Sequence, residues 1–348
     1  MYDTMNAMIL ALRTATVPQP ARQQIKLIGL VLGLLLTPQF TQLLPAQGLV
    51  QVPAEGLCQS WDSCRAGDSI WELSTRSLPD CPQMGVDYAP ELCQLTAGAW
   101  SLGAIESLRE LVASPTGPRL VVYVHGNRMP RQQARDRAHI IYQHLVSSAN
   151  CEPICFLALS WPSEQTERLP QDVDRKKRRL NADAYYLANF IGALDVQRPI
   201  GYWGYSFGCA IVCGAHHMLA GGSLHGYQLA GPPAARSLDR TSLIAPAFDR
   251  QDLTPRGQYH LALVAVDKMV NLYNSVDPIL RRFRFFDRST SPTAAGYAGI
   301  LEPRSISPLS ADRKIVQYDC RTIGRTHAEL DYLTCPCISW AFRNVAGL

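Results

Sequence analysis

Pro199-Ile200-Gly201-Tyr202-Trp203-Gly204-Tyr205-Ser206-Phe207-Gly208 reads as a short apolar strand that runs straight into a serine set between two glycines. Phe207 to Leu219 then reads as a helix, so Ser206 sits at a strand-to-helix turn. The five-residue pattern G-x-S-x-G alone arises by chance in roughly one chain in ten of this length. Its context gives it weight. A turn this tight leaves no room for side chains at either glycine. It holds the serine in a strained backbone with its hydroxyl exposed, and it aims the amides of the next helix at the same spot.

Outward from this turn, strands and helices alternate. Arg119-Leu120-Val121-Val122-Tyr123-Val124 and Ile154-Cys155-Phe156-Leu157-Ala158-Leu159-Ser160 are continuous apolar runs, as expected for strands buried on both faces. Helices are expected over 132–147 and 181–194. Further strands are expected at Ile70–Thr75, Trp100–Ile105, Leu243–Pro246, Met269–Asn274 and Lys314–Tyr318. Gln258–Asp267 reads as a helix, and the chain closes with a helix near Leu333–Val345. This alternation predicts an α/β fold with a mostly parallel sheet and helices on both faces.

Three further stretches bear on chemistry. Val124-His125-Gly126-Asn127 closes the first of the buried strands, and His125 there reads as a loop-orienting residue rather than a base. Asp277 lies just past the end of the strand Met269–Asn274, at the carboxyl edge where open α/β sheets bind ligands. Asp267, Asp287 and Asp319 are its rivals. His327 follows the final strand and, of eight histidines, is the only one downstream of Asp277. The order Ser206, Asp277, His327 permits a nucleophile, its base and the acid that orients the base. The backbone N–H groups of Asn127 and Phe207 are then the candidate donors to a developing oxyanion.

From about residue 118 to 340 the chain resembles the α/β-hydrolase superfamily, and is most similar to poorly characterised bacterial groups of predicted serine hydrolases and esterases. The matching pieces are V-V-Y-V-H-G-N, L-A-L-S-W-P-S, G-Y-S-F-G, N-L-Y-N-S-V-D-P and T-H-A-E-L. The resemblance implies an eight-stranded sheet, a Ser206–Asp277–His327 triad and no cofactor. Asn127 departs from the H-G-G-G loop of many lipases, and Tyr205 stands where the family often has His.

Composition narrows the remaining classes. The chain has 348 residues, 47% hydrophobic and 18% charged, with a net charge of +4. That suffices for one large core and argues against disorder. The basic run Arg175-Lys176-Lys177-Arg178-Arg179 reads as a solvated helix start. It has no interleaved aromatics, which argues against nucleic acid as a partner. Arg22 and Lys26 precede the apolar run Leu27–Leu36, too short to span a bilayer comfortably but typical of a secretory signal. The expected division is a signal or N-terminal anchor over 1–46, a cysteine-containing segment with the first strands over 47–117, and the hydrolase core over 118–348. Export to the periplasm or medium follows, with membrane contact only through an uncleaved N-terminus. Cys58, Cys64, Cys81 and Cys93 could then form disulfides.

Cys209, Cys213, His216 and His217 share a helix face, but they read as core rather than as a metal site. Cys335-Pro336-Cys337 has neither zinc nor thioredoxin spacing. The polar loop between Trp161 and Arg179 and the segment 288–310 are candidate walls of a site for soluble esters rather than long-chain lipids. An ester hydrolase acting on a small ester or acyl substrate leads the readings. It is followed by an amide, peptide or acyl-transfer enzyme with the same triad, and then by a non-catalytic binding protein on the same fold.

Overall fold

Successive β-α crossovers force neighbouring strands to run in the same direction, and this builds most of the sheet. The computed structural model describes residues 64–149, 152–165, 171–231, 238–285, 292–301 and 314–348. All belong to one unit, Leu57–Leu348. The expected signal or anchor over 1–46, and Cys58, lie outside the described residues.

In chain order the elements begin with β1 (Ser69–Ser74), β2 (Glu91–Thr96), β3 (Ala99–Leu102), α1 (Ile105–Ala113) and β4 (Arg119–Val124). Next come α2 (Arg131–Ala149), β5 (Ile154–Ser160), α3 (Gln171–Gly192), β6 (Gly201–Tyr205), α4 (Phe207–Leu219) and β7 (Asp239–Ile244). The chain ends with β8 (Val266–Tyr273), α5 (Ala295–Ala298), β9 (Ile315–Asp319), α6 (Glu329–Tyr332) and α7 (Ile338–Ala346).

The strands form one nine-stranded sheet in the order β3-β2-β1-β5-β4-β6-β7-β8-β9. Strands β1 and β4 to β9 are mutually parallel, and β2 is antiparallel to β1 and β3. One side of the sheet packs on α1, α3 and α4, through residues such as Leu108, Leu187 and Ile211. The other packs on α2 and α7, through Ile141, Leu145 and Phe342. This is the α/β class expected from the sequence, a mostly parallel sheet with helices on both faces, with one strand more than the expected eight. The extra strand comes from a hairpin. Ala97 and Gly98 both have positive φ (49° and 76°), the twist that a two-residue turn needs to join β2 to β3.

Four sequence readings need correction. Gln258–Asp267 is not a helix: tight turns and one short 3₁₀ turn, Ala262–Val264, occupy it, and β8 has begun by Val266. Asp267 is therefore on a strand, at the end opposite the site, paired with Arg240. The helix expected at 181–194 starts ten residues earlier, so the basic run lies inside α3 and not at a solvated start. Within it Lys176 and Arg179 are buried against carboxylates one turn away. Lys176 Nζ is 2.8 Å from Asp172 Oδ2, and Arg179 Nε is 3.0 Å from Asp183 Oδ2. The strand expected over Trp100–Ile105 ends at Leu102, and Ile105 opens α1. Finally, Cys64, Cys81 and Cys93 carry free thiols. The first two are exposed, and Cys93 is buried on β2.

Arg179 ties α3 to the loop after β1. Besides Asp183 it donates to the carbonyls of Thr75 (2.5 Å) and Leu78 (2.6 Å), while Thr75 Oγ1 donates to Asp183 Oδ1 at 2.6 Å. Removing one member of a buried charge pair leaves the other uncompensated. Arg179→Met should therefore cost about 3–5 kcal/mol in urea unfolding, and adding Asp183→Leu should recover part of it. A loss below about 1 kcal/mol for the single variant would contradict this role.

Candidate active site

The strand order has one switch point. From β4 the chain goes to β5 on one side, then crosses back to β6 on the other. A crevice opens at the carboxyl edge at such a point. His125-Gly126-Asn127 leaves β4 there, and Ser206 leaves β6. Asp277 and His327 follow β8 and β9, whose carboxyl ends lie on the same edge because the strands are parallel.

Ser206 has φ 53° and ψ −117°, a backbone conformation that L-residues rarely adopt. Such strain costs about 1–3 kcal/mol and persists only where the surroundings over-determine it. Here Ser206 N–H donates to the Ile244 carbonyl at 2.9 Å, and the Ser206 carbonyl accepts from Cys209 N–H and Ala247 N–H, both at 3.1 Å. The flanking glycines allow the close approach. A Cβ on Gly208 would lie 2.2 Å from the Val124 carbonyl oxygen, and one on Gly204 would lie 2.9 Å from Cys209 Cα. Gly126 meets the same limit from the other side: its Cβ would lie 2.7 Å from the Tyr205 ring and 3.2 Å from Ser206 Cβ. The His125–Asn127 loop therefore abuts the serine.

The three polar side chains form one hydrogen-bonded line. His327 Nε2 is 3.0 Å from Ser206 Oγ, and His327 Nδ1 is 2.6 Å from Asp277 Oδ2. Asp277 is fully buried, and its other oxygen accepts the N–H groups of Ile279 (2.8 Å) and Leu280 (2.9 Å). A carboxylate only accepts, so the imidazole carries its proton on Nδ1 and leaves Nε2 to accept from the serine hydroxyl. Of the rival acids, Asp319 instead receives Ser275 N–H (3.1 Å) and Oγ–H (2.7 Å), bracing the turn that carries Asp277. Asp287 lies outside the described residues.

The loop bearing His327 is clamped by residues that the sequence does not advertise. Tyr205 Oη donates to the His327 carbonyl at 2.5 Å. Asn274 Nδ2 donates to the carbonyls of Gly324 (2.9 Å) and Thr326 (3.1 Å). Two residues past the histidine, buried Glu329 accepts from Tyr123 Oη (3.0 Å), Trp203 Nε1 (3.3 Å) and Arg137 (3.2 Å). Burial pushes the Glu329 carboxyl up, against the pull of Arg137 and these donors.

His125 belongs to the scaffold. Its Nδ1–H donates to the Gly126 carbonyl (2.8 Å), its Nε2 accepts Trp161 N–H (3.3 Å), and its ring stacks on the Trp161 indole. Burial holds it neutral, with its pKa lowered to about 3. Beyond it, Arg128 N–H donates to the Ser163 carbonyl (2.8 Å) and Met129 N–H to Ser163 Oγ (2.9 Å), fixing the loop from the β5 side. The N–H groups of Asn127 and Phe207 have no hydrogen-bond acceptor among the described residues.

A cleft of about 680 Å³ opens beside Phe207, with Phe248 and Tyr259 among its apolar walls and Lys177, Asn181 and Asp252 among its polar ones. Lys177 and Asn181 come from α3. The polar segment between Trp161 and Arg179 is thus mainly helical where described, and 166–170 lie outside the described residues. Of 288–310, only 292–301 are described; they carry α5, and Pro292 reaches the cleft.

No protein family and no curated protein matches this sequence. Among solved structures, that of Zea mays acyl-protein thioesterase 2 matches at 16% identity, over 66% of this chain and 96% of that one, with a TM-score of 0.31. That likeness is too loose to bear on activity or substrate.

Burial, with the nearby Asp249 charge, raises Asp252 in the cleft wall to about 7. The folded value lies above the ordinary ~3.9 of the unfolded chain. The contribution of Asp252 to stability is therefore complete below pH ~3.9 and is lost as pH rises through about 7. Between pH 4 and 8 the wild type should lose on the order of 2–4 kcal/mol relative to Asp252→Asn, measured by urea unfolding at each pH. Parallel stability curves for the two proteins would refute the shift.

Proposed function

We propose that this chain is a serine hydrolase that cleaves small, soluble carboxylic esters through an acyl-enzyme on Ser206. The observation that carries the reading is the Ser206–His327–Asp277 line, at 3.0 and 2.6 Å, on a serine held at positive φ. In the first half-reaction, Ser206 Oγ attacks the ester carbonyl while its proton passes to His327 Nε2. Asp277 keeps the imidazole in the required tautomer and stabilises the imidazolium. The tetrahedral oxyanion takes hydrogen bonds from Asn127 N–H and Phe207 N–H, whose lack of another acceptor fits that role. Each such donor is worth about 2.7–4 kcal/mol in the transition state. His327 then protonates the departing alkoxide, and the acyl group stays on Ser206.

In the second half-reaction water gives a proton to His327 and attacks the acyl-serine. The acid leaves, and Ser206 recovers its proton. The cleft beside Phe207 is lined by none of the three triad side chains and adjoins the nucleophile through Phe207; read as the acyl or alcohol subsite, it supports the substrate class. It mixes aromatic walls with charged and amide side chains, which suits a compact, partly polar ester better than a long acyl chain.

A fluorophosphonate probe should label the wild type at neutral pH at one site, and Ser206→Ala should not be labelled. On a panel of p-nitrophenyl esters of graded acyl length, set beside aryl amides, the short esters should turn over fastest. Ser206→Ala and His327→Ala should lose about 10⁴-fold or more in kcat, and Asp277→Asn about 10²–10⁴-fold. Tyr205→Phe should lower kcat several-fold with little change in KM, since it frees the His327 carbonyl without touching the nucleophile. Full turnover by Ser206→Ala would end the proposal. Faster cleavage of amides than esters would move it to the amidase class.

A further inference from the structure

Cys320 and Cys335 stand at the two ends of the loop that carries His327. Cys320 follows β9, and its N–H is tied to the Tyr273 carbonyl at 2.7 Å. Cys335 leads into α7. Both are buried, and their sulfur atoms lie 2.9 Å apart although the residues are 15 positions apart. Closing to the ~2.05 Å of a disulfide needs less than 1 Å of travel. The other described thiols offer no comparable pair: Cys209 and Cys213 are one turn apart on a single helix, Cys93 is on β2, Cys155 is on β5, and Cys64 and Cys81 lie in the segments before β1 and between β1 and β2. Cys337 is the one neighbour. It is less buried and touches Cys335.

We infer that Cys320 and Cys335 form a disulfide that closes the His327 loop at its neck and holds the imidazole in line with Ser206. The inference about the imidazole rests on the triad reading; the bond itself does not. The oxidant is a disulfide of low molecular weight, such as oxidised glutathione. The Cys335 thiolate attacks one of its sulfurs, and one glutathione thiolate leaves. The Cys320 thiol then loses its proton and attacks the Cys335 sulfur of the mixed disulfide, displacing the second glutathione. Two thiols are oxidised, and one external disulfide is reduced to two thiols. Cys335 suits the first step: its thiol donates to Cys320 Sγ in the resting pair, and once it has lost its proton the Cys320 thiol can donate back to it, which draws Cys335 toward the thiolate. A cross-link over a loop of this length stabilises chiefly by restricting the unfolded chain. Here the restricted stretch carries the base.

The full chain, equilibrated with oxidised glutathione, alkylated and digested without reductant, should give one linked peptide joining Cys320 to Cys335. The same peptide should appear in Cys337→Ser and be absent in Cys320→Ser. Oxidised wild type should melt about 5 °C or more above the same protein reduced under native conditions. It should also show a several-fold higher kcat on short esters at unchanged KM. Comparing two redox states of one protein avoids dependence on how a variant folds. Free alkylation of both Cys320 and Cys335 after oxidation, or a link from Cys335 to Cys337, would overturn the inference. Fluorophosphonate labelling of Ser206 in the same samples separates the two readings. A linked peptide without labelling counts against the triad and leaves the disulfide standing.

Discussion

The backbone of Ser206 sets the limit within which the rest of this site is built. A non-glycine residue at φ 53° is held there only if its neighbours leave no alternative. Three glycines provide that: Gly204 and Gly208 within the turn, and Gly126 across it. Each occupies a place where a Cβ would strike backbone or ring atoms. The sheet supplies the remainder, since the Ile244 carbonyl at the end of β7 receives Ser206 N–H. The strain presents the hydroxyl above the sheet edge, where the ends of β4, β8 and β9 bring the other parts.

The second half of the site depends on a loop rather than a strand. His327 is only partly buried, and its position is set at a distance by groups on four strands: Tyr205 and Trp203 on β6, Tyr123 on β4, Asn274 just past β8, and Cys320 just past β9. Glu329 is the hub of this clamp. A buried carboxyl with three donors is costly to leave half satisfied, so the segment after the histidine has one stable seating. The serine is thus positioned by local backbone geometry, and the histidine by long-range polar contacts.

That difference explains how much was legible in the sequence. The buried strands β4, β5 and β6 and the helix after Ser206 announce themselves by apolar runs and periodicity. The triad candidates follow from their places at strand ends and their order in the chain. Strand β2 carries no clear signal, because Glu91-Leu92-Cys93-Gln94 mixes polar and apolar residues near the sheet margin. The early start of α3 was hidden because its charges look solvated, whereas Asp172 and Asp183, each four positions away, neutralise them in the interior. The stretch after Gln258 looks helical by composition, but turns closed by Asp252 and Thr254 shape the chain before it. The clamp on His327 could not be read at all. Tyr123 and Glu329 are 206 positions apart, and no local pattern links them.

The central claim is that Ser206 carries the acyl group between the two half-reactions. Its most direct test is intact-mass analysis of the protein quenched in acid within the first turnover of an activated short-chain ester, followed by peptide mapping. The account predicts a transient gain of one acyl group on the peptide containing Ser206, absent from Ser206→Ala. Ester turnover with no acylated Ser206, or with the acyl group on another residue, would contradict it.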